Sequence, residues 1–373
     1  MTHRILFLTG TRADFGKLKP LAVAARDAGH EVTFFVTGMH MMQRYGLTKI
    51  EVHNMPGVRV HEFLNQRPGD GQDIVLAKTI VGFSDYLTEN DTDLIIIHGD
   101  RIEALAGAIV AATNYIPSVH IEGGEVSGTI DEIFRHCNTK LATHHFVSSN
   151  QAARRVMVLG ETESSVYVIG SPELDFHAAD SGVTLDEVRS RYDIPFDEYG
   201  IAVFHPVTSE QDTMGAQTKA LFGALADSGR SFVVIAPNND PGSEAIFDVL
   251  NGLPENQFRL IPSMRFAHFS ELMKNASCMV GNSSAGVREA PFLGIASLDI
   301  GTRQTNRAQA TSVSYCAAHD RAAINAFLAR EWSNHHQPDK SFGEGGAADR
   351  FIEILASDAF WASGLQKAFQ DIV

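Results

Sequence analysis

Cationic charge is the first thing this chain lacks. Its 373 residues carry 30 Lys and Arg against 45 Asp and Glu, a formal net charge of −15. A surface that tracks nucleic acid needs a basic face, so this balance argues against a nucleic-acid partner. A small anionic ligand is still allowed, because a few local Arg and Lys override the global field. Long apolar runs are missing too, and nothing approaches the roughly 18 residues of a membrane span. The nearest stretch, Ala104 to Ile116, is interrupted by Thr113 and Asn114. Ile5-Leu6-Phe7-Leu8 is too short for a signal-peptide core and no small-residue cleavage site follows, so no membrane association is expected. Cys137, Cys278 and Cys316 are far apart and form no CxxC pair, which excludes a disulfide framework. A reducing cytoplasm is the simplest setting. His144-His145 and His335-His336 lack HExxH or comparable ligand spacing, so neither a metal nor a cofactor is expected.

What is present is an ordinary globular composition, 44% hydrophobic and 20% charged. At about 150 residues per domain the length predicts two domains. Strand-like and helix-like segments alternate, as in a parallel α/β sheet. Strands are expected at Arg4–Leu8, Glu31–Val36, Leu94–Ile97, Ser118–Ile121, His145–Ser148 and Val166–Ile169. The pattern restarts at Ile201–Phe204, Phe232–Ala236, Phe258–Ile261, Cys278–Val280 and Ala296–Ile300. The fold class predicted is α/β, with two Rossmann-like doubly wound domains facing a central cleft. The N-terminal domain is expected over 1–170, a linker over 171–199 and a second domain over 200–355. A final helix within 356–373, centred on Phe360–Gln370, is expected to pack back on the first domain. The segment from Asn65 to Gly71, with Pro68 and two glycines, reads as a mobile loop or lid.

In such sheets ligands sit beyond the carboxyl ends of the strands, so the residues after each strand are the ones to inspect. Gly10-Thr11-Arg12-Ala13-Asp14-Phe15-Gly16-Lys17 is a glycine-bearing turn before a helix, open to two readings: a phosphate site on free backbone N–H groups, or an ordinary turn. Five residues separate its glycines and Leu18 follows the Lys, so it is not a Walker A loop. Asp100, after His98-Gly99, is either a cleft-facing base or, more commonly, the N-cap of the next helix. Glu122 precedes Gly123-Gly124, which would let a ligand approach the backbone. Asp131 and Arg135 are four apart, as in a helical salt bridge. Clustered carboxylates push one another towards the neutral form, which supplies an acid and a base together. In the second half His205 ends a strand, and Asn282-Ser283-Ser284 leads into a helix, either as an anion site or as a Ser N-cap. Glu289 is either a partner for ribose hydroxyls or part of a solvated helix face, and Arg303 offers another cation.

Six motifs stand in order: Gly10–Lys17, His98–Leu105, His120–Glu125, Ser127–Glu132, His205–Thr208 and Gly281–Glu289. Together they resemble the hydrolysing UDP-N-acetylglucosamine 2-epimerases of bacterial sialic acid synthesis, over nearly the whole chain. The resemblance implies a GT-B-like fold and release of UDP and N-acetylmannosamine from UDP-N-acetylglucosamine. It implies Asp100, Glu122 and Asp131 as catalytic carboxylates and His205 as a group for the diphosphate or for proton transfer. Arg12, Lys17, Arg101, Arg135 and Arg303 would surround the nucleotide sugar, with Asn282, Ser283 and Ser284 at the diphosphate. Glu289 would take the ribose, Phe266 the uracil, and His40 would line the sugar pocket. The implied partners are UDP-N-acetylglucosamine, UDP and further copies of the chain, as a dimer or tetramer.

Four alternatives remain. A non-hydrolysing epimerase has an Ala-Gly-Leu-Arg type run after the Glu and an Arg-Arg-Glu type run after the His. This chain has Gly123-Gly124-Glu125 and Pro206-Val207-Thr208 there. A hydrolysing enzyme for a diacetamido-trideoxy UDP-sugar would differ only in how C4 and C6 are read. A glycosyltransferase would need an acceptor site rather than three acids around one sugar carbon. A silent nucleotide-sugar sensor has no need of Asp100, Glu122, Asp131 and His205 together.

Overall fold

The computed structural model describes residues 1–373 other than 68, 128–129, 180–181, 239, 308–309, 369 and 371–373, and other than the side chain of Arg44. The chain divides into two compact units. Unit 1 comprises Met1–Glu125, Asp131–Ala178 and Phe342–Val373, and unit 2 comprises Val126–Ile130 and Ala179–Ser341.

Unit 1 is built on seven strands: β1 (Arg4–Thr9), β2 (Glu31–Val36), β3 (Arg59–Glu62), β4 (Leu94–His98), β5 (Ser118–Ile121), β6 (His144–Val147) and β7 (Val166–Val168). They lie in the order β3-β2-β1-β4-β5-β6-β7, and the pairs are parallel. The apolar run in β1 explains its central place. Ile5 and Phe7 enter one core with the Arg12–Asp27 and Ala347–Leu355 helices. Leu6 and Leu8 enter the opposite core with Phe35, Phe83 and Ala108. A strand covered by helices on both faces has to be apolar throughout, and alternation decides only which layer each side chain joins.

Unit 2 repeats the plan with β8 (Gly200–Val203), β9 (Phe232–Ile235), β10 (Phe258–Ile261), β11 (Met279–Gly281), β12 (Ser297–Ile300) and β13 (Val313–Cys316). Their order is β10-β9-β8-β11-β12-β13. Ala202 faces one core and Ile201 and Val203 the other. Both units are therefore Rossmann-like and doubly wound. The strand order reverses between β1 and β4 in unit 1 and between β8 and β11 in unit 2, which are the switch points where such sheets bind ligands.

The structure corrects several expectations. Strands β3 and β13 carry no apolar run, because each is a half-exposed edge strand. No separate linker stands at 171–199: Glu173–Ala178 belongs to unit 1, while Val188, Ile194, Phe196 and Tyr199 are buried in a unit 2 core. The chain returns to unit 1 at Phe342, not at 356, because Phe351 and Leu355 join the core that holds Ile5 and Phe7. Among the described residues the last helix is Asp358–Trp361, and side chains hold this end of the structure in place. Trp361 stacks on His3 at 3.6 Å between ring centroids. Lys367 donates to the carbonyls of Thr139, Lys140 and Ala142 at 3.1, 2.9 and 2.7 Å, and so caps the Asp131–Leu141 helix. Phe369, within the helix expected over Phe360–Gln370, lies outside the described residues. In the segment read as a lid, Asn65 is buried, accepting from Gly38 N at 3.0 Å and donating to Thr79 at 2.8 Å; Pro68 lies outside the described residues.

One glycine is dictated by the switch point of unit 2. Gly281 has φ +138°, and a Cβ there would drive into the carbonyl oxygen of Val203 on the adjacent strand. Both the conformation and the contact exclude a side chain. Gly281→Ala is expected to cost about 2–4 kcal/mol of unfolding free energy, measured by urea titration; a loss below about 0.5 kcal/mol, the range of ordinary surface changes, would contradict the packing described.

Candidate active site

In unit 1 the turn after β1 is already filled. Thr11 caps the Arg12–Asp27 helix and accepts from Asp14 N at 3.2 Å. The Asp14 carboxylate reaches back to Gly10 N at 3.1 Å and Thr11 N at 3.0 Å, and Thr9 donates its hydroxyl to it. The amides of Gly10, Thr11 and Asp14 are thus bonded internally, as in an ordinary turn. Burial pushes the Asp14 carboxyl up to about 6. Arg12 pairs with Glu51. His40 is fully buried, with Nε2 3.0 Å from the Thr9 hydroxyl and Nδ1 2.6 Å from that of Thr48. Burial, with Arg12 nearby, lowers its imidazole to about 3 and keeps it neutral.

Beyond β4, Gly99 takes φ +66° and turns the chain so that Asp100 pairs with Arg135. Asp100 is not a helix cap: the N-cap of the Ile102–Thr113 helix is Arg101, with no side-chain cap bond. Arg135 is buried, pairs with Asp100 and also donates to the Glu125 carbonyl at 3.2 Å. Arg101 Nε lies 3.7 Å from Glu103, which is also buried. The Gly99 carbonyl itself is held by Asn138 at 3.0 Å and by His120 at 2.8 Å. Asp131 opens the helix that supplies Arg135 and Asn138 and is partly exposed.

Glu122 follows β5 with φ +62° and is 3% exposed. Its Oε2 accepts from Lys17 Nζ at 3.0 Å and from His98 Nε2 at 3.1 Å, and its Oε1 lies against the Ser171 hydroxyl. Lys17 also pairs with Glu173 at 3.3 Å. Lys17, expected among the cations around a nucleotide sugar, is therefore buried between two carboxylates of its own unit. Burial lowers the His98 imidazole and keeps it neutral, so the ring donates through Nε2. The neighbouring glycines answer to packing rather than to a ligand. A Cβ on Gly123 would lie 2.9 Å from His120 Nδ1, and one on Gly124 would strike the Ala152 carbonyl.

In unit 2 His205 and Asn282 lie across the switch point. Asn282 accepts from His205 N at 2.6 Å and donates to His205 O at 2.8 Å, locking the ends of β8 and β11 together. Asn238 N donates to His205 Nδ1 at 3.1 Å, so the neutral ring carries its hydrogen on Nε2. Arg303 and Gln304 donate to the Asn282 carbonyl at 3.2 and 2.9 Å. Ser283 is the N-cap of Ser284–Val287, accepting from Ala285 N at 3.3 Å. Glu289 is buried at 5% exposure, not on a solvated face, and opens the Glu289–Phe292 helix. Phe266 opens the Phe266–Lys274 helix after β10.

His98, Ser171, Glu173, Asn238 and Gln304 were not singled out from the sequence. Ser171 and Glu173 flank Pro172, and that proline made the stretch read as linker. The motif Ser127–Glu132 includes Gly128 and Thr129, which lie outside the described residues.

The family model described as UDP-N-acetylglucosamine 2-epimerase matches residues 23–356. The chain is similar to a UDP-N-acetylglucosamine 2-epimerase of Neisseria meningitidis serogroup B, with 41% identity over 373 residues, 99% of each chain. It is 30% identical over 324 residues to a UDP-N,N'-diacetylbacillosamine 2-epimerase (hydrolyzing) of Legionella pneumophila, covering 84% of this chain and 85% of that one. Its fold is like that in the crystal structure of a UDP-GlcNAc 2-epimerase from Neisseria meningitidis bound to UDP-GlcNAc, with a TM-score of 0.78, 18% identity, and 95% and 99% of the two chains covered.

The buried state of His40 sets a pH dependence. Its folded value of about 3 lies below the ordinary 6.5, so between these limits the unfolded chain binds a proton that the native state refuses. The stability that His40 contributes is present above pH 6.5 and is lost as the pH falls towards 3. In urea unfolding from pH 7 to pH 4.5, His40→Gln is expected to reduce the acid slope by up to about 1.4 kcal/mol per pH unit; an unchanged slope would contradict this.

Proposed function

The chain belongs to the UDP-N-acetylglucosamine 2-epimerase family, and from that premise we propose that it is a hydrolysing enzyme converting UDP-N-acetylglucosamine to N-acetylmannosamine and UDP. The observation that carries the reading is a pair of carboxylates beyond adjacent parallel strands in opposite settings. Asp100 stands beyond β4 in an ion pair with Arg135, partly open to solvent. Glu122 stands beyond β5, buried among Lys17, His98 and Ser171. Strands β4 and β5 pair through His98 and Ile121, so the two acids are offered on neighbouring tracks about 5 Å apart in strand spacing.

Such a pair suits chemistry on both faces of one carbon. In the α-linked gluco sugar, H2 and the C1 phosphate are trans and axial. One carboxylate removes H2 while the C1–O bond breaks and UDP leaves from the opposite face. The glycal that remains takes a water oxygen at C1 and a proton at C2, on the other face, which gives the manno configuration. Asp100, Glu122 and Asp131 supply the proton transfers. In unit 2, His205 with its Nε2 hydrogen, together with Arg303, Ser283 and Ser284, serves the departing diphosphate. Glu289 serves the ribose and Phe266 the uracil. Asn282 acts by fixing His205, whose backbone N–H and C=O its side-chain amide bonds.

Two features support hydrolysis over epimerisation without UDP release. The residue after Gly124 is Glu125, buried and bonded to Ser148, where the non-hydrolysing pattern has an apolar Leu followed by Arg. His205 is followed by Pro206-Val207-Thr208 instead of a basic run. The cysteines are free, which suits a reducing cytoplasm.

The test is incubation with UDP-N-acetylglucosamine in D2O, followed by NMR. Free UDP with N-acetylmannosamine deuterated at C2 is expected. UDP-N-acetylmannosamine would overturn the hydrolytic reading, and turnover of a diacetamido-trideoxy UDP-sugar alone would overturn the substrate. Asp131→Asn should keep UDP binding and lose at least about 100-fold in kcat; wild-type turnover would sink its catalytic role.

A further inference from the structure

Ser171 stands between two buried carboxylates. Its hydroxyl lies against Glu122 Oε1 and 2.8 Å from Glu173 Oε2. Ser171, Glu122 and Glu173 are 1%, 3% and 0% exposed, so bulk water does not share these contacts. A serine hydroxyl carries one hydrogen and serves one acceptor with it. The second oxygen–oxygen contact is a hydrogen bond only if a carboxyl brings a hydrogen of its own. Lys17 lies against both acids but offsets only one negative charge, so two ionised carboxylates would still leave lone pairs facing one another across Ser171, a costly arrangement. His98 and Lys17 bond the other oxygen of Glu122, Oε2, and not the one that faces Ser171.

We propose that Glu122 and Glu173 hold one proton between them through Ser171, and that this stored proton is the one delivered to C2 of the sugar. The second clause rests on the function proposed above; the first does not. The balance is as follows. A carboxylate other than Glu122 takes H2 as the C1–O bond breaks, and that electron pair leaves with UDP. The new C2–H bond forms from the Glu122 O–H, and the oxygen of water bonds to C1. The proton released by that water, returned through solvent, reloads the pair, and the carboxyl that took H2 gives its proton to solvent. Glu173 touches no sugar in this scheme. It is a positioning residue, keeping the hydrogen on the Glu122 side of Ser171; after delivery the pair carries one more negative charge, beside Lys17, until it is reloaded.

The proposal separates structure from chemistry in its test. Infrared difference spectra at pH 8 read protonated carboxyls directly; burial puts Asp14 at about 6 and Asp299 at about 7, so both are largely ionised there. The wild-type chain is expected to show a buried carboxyl C=O stretch that shifts in D2O and disappears in Glu173→Gln. Its absence from wild type, or its persistence in Glu173→Gln, would overturn the shared proton. With UDP-N-acetylglucosamine, Glu173→Gln should lower kcat for N-acetylmannosamine by about 10–100-fold at nearly constant KM and release the unsaturated sugar, because elimination outruns reprotonation. Ser171→Ala, which keeps both carboxyls but cuts the bridge, should do the same. Wild-type product ratios in both variants would overturn the delivery step. If the wild-type chain itself makes no N-acetylmannosamine, the proposed function fails, and the infrared band still decides the proton.

Discussion

Unit 1 depends on burying one ammonium among carboxylates. Lys17 projects from the first helix of the unit to the end of β5 and to the start of Glu173–Ala178, and it bonds acids at both places. Ionised carboxylates in an interior are costly unless a cation and hydrogen bonds compensate them. The Lys17 contact therefore fixes three elements at once, and it also decides what Glu122 is. A carboxylate tied on one oxygen to a lysine and a histidine, and on the other to a serine, has a fixed orientation. Its positive φ is part of the same constraint, since the turn must aim the side chain back beneath the strand ends.

A parallel constraint runs through unit 2 with neutral groups. Asn282 joins β8 to β11 by two hydrogen bonds to the backbone of His205, and Gly281 leaves room for the strands to approach. The two switch points are organised differently: one by compensated charge, the other by amide pairing that leaves an imidazole with a defined tautomer. That difference suits the roles proposed for them. Proton transfer to carbon needs groups whose charge can change, whereas a departing diphosphate needs donors that keep their place.

The sequence was most informative where burial is complete. Apolar strands such as β1 and β4, and the glycine-rich turns that follow strands, announce a doubly wound sheet because every central strand must be apolar on both faces. Edge strands β3 and β13 are half-exposed and carry no such pattern. The candidate site was legible as a set of positions and less so as a set of roles. Arg12 and Lys17 sit in a recognisable turn, but which charges they meet depends on Glu51, Glu122 and Glu173, distant in sequence, and His40, after β2, is held by Thr9 and Thr48. Asp100 looked like a helix cap because local spacing allows it; Arg135, thirty-five positions away, pairs with it instead. Gly123 and Gly124 suggested ligand approach, and it was His120 and Ala152 that required them. Local rules predict local bonds, and here tertiary partners took precedence.

The clasp of Lys367 over the end of the Asp131–Leu141 helix has a consequence for how the chain is made. Unit 1 begins before unit 2 but receives Phe351, Phe360 and Lys367 only from the segment that follows Ser341. During synthesis, the continuous run Ala179–Ser341 emerges before those residues do. The usual N-to-C order of domain completion is thereby inverted. The second unit can close while the first still exposes the core face awaiting Phe351. Vectorial translation thus delays completion of the Glu122-bearing unit until Phe351, Phe360 and Lys367 have emerged.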